Sequence, residues 1–225
     1  MQLDTLYLRQ SELIQTQKIV QAIFVGGQSF SVSGEGYSPH GNIYCDRQQI
    51  DPWLFPGLEE CLIAGLLCNN SKLVKKEKKW MAVGDPNEVA MITLAYKAGL
   101  ERSQLLEAMP LLDIIISMDG FSGVVTLHKV IPILKRNSKH HHVMYGRSLV
   151  DKVLAHCEWM TNLNGQKMWI NLPEIEQTIA DMKNKGLDPI ILTKKYVPPT
   201  YDNLSLLDFH SGLIFMGIQG VMELK

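Results

Sequence analysis

The chain has 225 residues, 46% hydrophobic and 20% charged, enough apolar side chain to build the core of one domain of moderate size. Its 22 basic and 23 acidic residues leave a net charge of −1, which excludes a broad electrostatic footprint for nucleic acid or an anionic membrane. The cysteines at positions 45, 61, 68 and 157 form no C-x-x-C pair, so they read as free, mostly buried thiols in a reducing compartment. The N-terminus, MQLDTLYLRQSE, lacks a cationic stretch followed by an apolar run, so no signal peptide is expected. No apolar run reaches about 18 residues, so direct membrane insertion is not expected and the predicted location is cytoplasmic.

Ile19 to Val25 is a continuous apolar-rich run ended by Gly26-Gly27, and Gln28 to Val32 alternates. Together they predict a β-hairpin with a glycine turn. Gly34 to Gly41 is loop chemistry, with three glycines and a proline. Leu58 to Leu67 has the apolar density of a buried helix, ended by Asn69-Asn70-Ser71. Lys72 to Val83 predicts a strand pair, its lysines interrupted by Glu77 and followed by Trp80, and a solvated hairpin is the plain reading of that charge.

Trp80 to Leu100 reads as a strand, a tight turn at Gly84-Asp85-Pro86, and a helix. Asp85 or Asn87 can cap it, Pro86 suits its first turn, and Glu88 meets the positive end of its dipole. Val89, Ile92, Ala95 and Tyr96 give it one buried face. Ser103 to Ala108 predicts a short helix, and Leu111 to Ser117, Gly123 to Val130 and His142 to Tyr145 predict strands. Leu149 to Cys157 predicts a helix. Asn171 to Gly186 predicts another, with an asparagine cap, early glutamates and a terminal glycine. Pro189 to Thr193 and Leu213 to Ile218 close the chain as strands, the last placed in the core. Strands mostly follow strands, which predicts an α+β domain with a twisted, mainly antiparallel sheet flanked by helices.

Several of these strings, in this order, resemble the nucleotide-binding domain of P-type cation-transporting ATPases. IVQAIFVGGQSFSVSGEGYSPHG resembles the segment after the phosphorylation motif, and CNNS at Cys68 to Ser71 resembles the family's helix end. GDPNE at Gly84 to Glu88 resembles its GDPTE helix start. Asp113 to Val130 resembles the nucleotide-pocket strand pair, while GLDPIILTKKYVPP and GLIFMGIQG resemble the closing strands. The resemblance covers nearly the whole chain. It divides the sequence into residues 1–18, a degenerate remnant of the phosphorylation-motif segment, and residues 19–225, the domain itself.

The resemblance also implies what has been lost. The phosphorylated aspartate of the DKTGT motif falls on Leu8, which has no oxygen nucleophile. No magnesium-handling domain follows before Lys225, so no catalytic residue and no phosphoryl transfer are expected. In the nucleotide pocket, Glu88 matches the acidic residue that meets the adenine amino group, and Asn87 replaces the threonine before it. Ser117 stands where the family stacks a phenylalanine on adenine, with Phe121 as a replacement ring if the alignment slips. Ser122 replaces a lysine. Tyr145 replaces the lysine of the KGAP motif, with Gly146 kept, and Asp188 replaces an arginine that should face phosphate. Losing the ring alone costs about 1–3 kcal/mol by analogy with base stacking.

The run Lys139 to His142 invites a metal reading, but successive strand residues face opposite ways, so a solvated loop is expected and no metal site. Two functions compete. The first is a stand-alone, catalytically inactive relative of the domain, a pseudoenzyme acting as a binding or regulatory module on an unidentified protein partner. The second is a domain that still binds ATP or another adenine nucleotide weakly, through Asn87, Glu88, Ser117, Phe121, Ser122, Tyr145 and Gly146. Neither requires a cofactor, and neither involves nucleic acid.

Overall fold

The computed structural model describes residues 16–77, 79–118, 121–130, 142–148 and 151–224. The remnant assigned to residues 1–18, with Leu8, lies outside the described residues except for its end, where Gln17 and Lys18 open the first strand. The fold is α+β and mainly antiparallel.

A glycine hairpin starts the chain: β1 (Gln17–Val25) turns at Gly26 and Gly27 into β2 (Gln28–Val32). Both glycines have positive φ, 60° and 83°, as a two-residue hairpin turn requires. A second small hairpin follows, β3 (Ile43–Cys45) and β4 (Gln48–Ile50). Helix α1 (Pro56–Leu67) leads into the hairpin β5 (Lys72–Lys76) and β6 (Lys79–Val83). Helices α2 (Pro86–Lys97) and α3 (Arg102–Ala108) come next. Strands β7 (Leu111–Met118), β8 (Phe121–Lys129) and β9 (His142–Ser148) form the far part of the sheet. After them lie β10 (Cys157–Thr161), β11 (Lys167–Trp169), α4 (Leu172–Asn184), β12 (Asp188–Val197) and β13 (Leu213–Leu224).

The main sheet runs β4-β3-β2-β1-β13-β12-β9-β8-β7. Its hub is β13, paired antiparallel with β1 and β12, and parallel to β10 at its start. Alternation along the central strands divides the core. Val143, Tyr145, Ile190, Leu192 and Met216 face α1 and α2. Met144, Ile191, Phe215 and Ile218 face α4 with Ile175, Ile179 and Met182. The sheet is therefore covered by helices on both faces, the layered arrangement that buries both sides of each strand.

Two local readings differ from the sequence expectation. Residues Asp151–His156 form a 3-10 turn, and Cys157 enters β10, so a helix over 149–157 does not form in the described part. Pairing of Cys157, Trp159 and Met160 with β13 at Leu213 to Phe215 holds the chain from Cys157 onward extended, a tertiary contact overriding local preference. The second is the β3–β4 hairpin, which turns through Asp46 and Arg47, both at positive φ. The sequence has no Asn-Gly there to mark it.

Candidate functional site

The most tightly determined polar cluster lies where α1 ends, α2 begins and β9 passes beneath. Asp85 caps α2: its Oδ1 accepts the backbone N–H groups of Asn87 at 2.9 Å and Glu88 at 3.0 Å. The Asp85 N–H donates to Ser71 Oγ at 2.9 Å. Gly84, at φ +115°, lets the chain pass Ser71, where an added Cβ would sit 2.2 Å from Oγ.

Glu88 is only 4% exposed. Its Oε1 accepts Arg147 Nη2 at 2.7 Å. Its Oε2 accepts the Ser71 hydroxyl at 2.5 Å and the Asn70 N–H at 3.0 Å. The Glu88 carbonyl accepts Asn69 Nδ2 at 2.9 Å. Arg102, the first residue of α3, holds the same loop from the other side, donating to the Ser71 carbonyl at 2.8 Å and the Asn69 carbonyl at 2.6 Å. Burial lowers the Arg102 pKa from the usual arginine value. The carboxylate is thus a buried ion pair with further donors, the arrangement that makes burial of a charge tolerable. Beside it, Cys68 donates to the Val124 carbonyl at 3.0 Å, and burial pushes its thiol up to about 12.

The other residues singled out from sequence fall as follows. Asn87 contributes its backbone N–H to the cap, while its Oδ1 is buried without a hydrogen-bond partner among the described residues. Ser117 lies in β7, and Phe121 and Ser122 open β8; their side chains lie outside the description. Tyr145 is buried on β9, its ring centroid 5.9 Å from that of His128. Burial raises its phenol well above the ordinary range. Gly146 faces the opposite layer, where an added Cβ would lie 2.0 Å from Phe209 Cζ and 2.7 Å from Thr193 Oγ1. Asp188 pairs with Lys18 at 3.0 Å near the surface. Of the histidine run, Lys139 to His141 lie outside the described residues and His142 opens β9. Among the described residues no three His, Cys, Asp or Glu side chains gather as a metal site.

Sequence reasoning missed Arg147, which joins Glu88 to β9. The signal was available: in MYGRS, Arg147 shares the face of Tyr145 by strand alternation. It also missed a second buried cation, Lys194 on β12, whose Nζ lies 2.5 Å from Glu60 Oε2. Chemically, the Glu88 cluster offers a carboxylate with three of its roughly four acceptor positions occupied. Cys68 beside it stays a thiol at neutral pH.

A mainly antiparallel sheet between helical layers, with a buried glutamate at a capped helix start, defines a layered α+β domain. The sequence matches the family model for the P-type ATPase cytoplasmic domain N over residues 57–223. It is 35% identical over 216 residues to the cation-transporting ATPase pma1 of Synechocystis sp., covering 94% of this chain and 23% of that protein. It is 32% identical over 90 residues to a calcium-transporting ATPase of Bacillus subtilis, 40% of this chain and 10% of the relative. A probable cation-transporting ATPase F of Mycobacterium bovis is 28% identical over 177 residues, 78% of this chain and 19% of the relative. The chain belongs to the P-type ATPase cytoplasmic N-domain family, and spans under a quarter of the length of these relatives. Among the described residues no helix is long and apolar enough to cross a membrane.

Proposed function

We propose that this chain is an N-domain module that works by binding rather than by catalysis, in the cytoplasm, with its adenine pocket closed by its own side chains. The observation that carries the reading is the Glu88 carboxylate, which accepts Arg147, Ser71 and Asn70 at once. The family resemblance assigns this residue to the adenine amino group. A nucleotide would have to compete for this buried carboxylate with three donors already bonded to it, so its amino group gains little net hydrogen-bond energy there. Tyr145 in place of the lysine that lines the family's base pocket, and Asp188 in place of an arginine that should face phosphate, further weaken nucleotide binding.

The test is an NMR titration of 15N-labelled protein with ATP and with AMP. The expected result is no saturable shift at Glu88 and Gly146 up to about 10 mM, beyond the millimolar range of a weak relic site. Saturable shifts clustered there at sub-millimolar ligand would overturn the closed pocket in favour of a domain that still binds adenine nucleotide.

A further inference from the structure

The hairpin β5–β6 forms its own two-stranded sheet, outside the main one. Its inner side is anchored: Leu73 is buried, and Trp80 and Ala82 pack against the same core. Its outer side follows from the register, which pairs Lys72 with Val83, Val74 with Met81, and Lys76 with Lys79. Lysines thus occupy both ends of this face, around an apolar centre in which Val74 is 38% exposed.

Two features of this face are unexplained by folding. Lys76 and Lys79 stand directly opposite each other, a like-charge pair that weakens a strand pair rather than supporting it. Among the described residues, no ion pair reaches Lys72, Lys76 or Lys79. The net charge of −1 makes this a local concentration of positive charge, not a share of general basicity. The hairpin also hangs directly from the Glu88 cluster, since Ser71 and Gly84 flank it.

We propose that the outer face of β5–β6 is a docking site for an extended acidic polypeptide segment. In an extended chain, side chains on one face recur every other residue, about 6.8 Å apart. A segment reading acidic, any, apolar, any, acidic places its carboxylates over Lys72 and Lys76 and its apolar side chain over Val74 and Met81. Lys79 adds a third cation beside the second carboxylate. A membrane is disfavoured because Trp80 is turned to the core and the outer face has no aromatic for the lipid interface. Single-stranded nucleic acid is disfavoured for the same reason, since no exposed ring there can stack a base. This deepens the reading of the chain as a binding module and rests on it, but uses a surface separate from the adenine pocket.

The experiment is fluorescence anisotropy with a fluorescein-labelled synthetic peptide repeating glutamate, serine, valine, serine, glutamate. Comparison probes are a lysine-for-glutamate version, phosphatidylserine–phosphatidylcholine vesicles and oligothymidylate. The expected result is saturable binding of the acidic peptide at about 10–100 μM in low salt, falling as salt rises. The double variant Lys72→Glu/Lys76→Glu should weaken it by at least about tenfold. Unchanged circular dichroism and thermal midpoint would show that this surface change leaves the fold intact. Backbone NMR shifts confined to residues 72–83 would locate the contact. Equal binding by both proteins, no binding by either, or binding of vesicles or oligothymidylate in preference to the peptide would overturn the proposal. The two tests separate cleanly. Peptide binding with sub-millimolar ATP binding refutes the closed pocket alone, whereas silence to both ligands refutes the docking face alone.

Discussion

Replacing Arg147 by methionine removes the cation from the buried pair while keeping most of the side-chain volume. Glu88 would keep Ser71 and Asn70 on Oε2 but lose the partner of Oε1, 2.7 Å away. With Glu88 4% and Arg147 6% exposed, water cannot readily replace that partner. Removing one member of a buried pair typically costs about 3–5 kcal/mol, a large share of the roughly 5–15 kcal/mol of a folded domain. At a urea slope of about 2 kcal/mol/M, the unfolding midpoint of Arg147→Met should fall by about 2 M. Glu88→Gln should cost somewhat less, because the amide oxygen still accepts one hydrogen bond. The double variant should cost less than the sum of the two by about 2–3 kcal/mol.

A coupling under about 0.5 kcal/mol between the two substitutions would refute the claim that Glu88 and Arg147 act as one buried pair.

Other perturbations test neighbouring parts of the structure. Burial lowers His128 to about 4, below its unfolded value of about 6.5. The unfolded state therefore binds more protons between those values, and stability should fall by about 2 kcal/mol on acidification from pH 8 to pH 5. Urea midpoints measured across that range should lose part of this slope in His128→Leu, and an identical slope would count against the assignment. Gly146→Ala puts a Cβ 2.0 Å from Phe209 Cζ and should cost about 1–3 kcal/mol by overpacking. A thermal midpoint equal to that of the wild type would show the site to be looser than described. Burial pushes Cys61, Cys68 and Cys157 up to about 12, whereas Cys45 is partly exposed. Ellman's reagent should react quickly with Cys45 alone in the folded protein and with the other three only in urea; rapid labelling of Cys68 would contradict its burial.

The parts of this fold that could be read from sequence are those whose determinants are local. Gly26-Gly27 marks its hairpin, and Asp85-Pro86 marks the start of α2, because turn and cap chemistry act within a few residues. The cap that structure selects is Asp85, whose side chain reaches two N–H groups. Asn171, expected to cap α4, instead gives its amide to Glu174, since the capping geometry is set by the entering chain and not by residue type alone. What stayed hidden depends on distant pairing. Arg147 lies 59 residues from Glu88, and Lys194 lies 134 from Glu60, so no local pattern joins either pair. The same separation explains why a matched motif under-describes this site. GDPNE preserves the glutamate and its helix, yet the environment that decides what the glutamate binds is supplied by β9. An acidic residue at a helix start is free to meet a ligand only while nothing else neutralises it. Here an arginine from β9 pairs with it at 2.7 Å, and the same carboxylate accepts donors from the loop after α1, joining α1, α2 and β9.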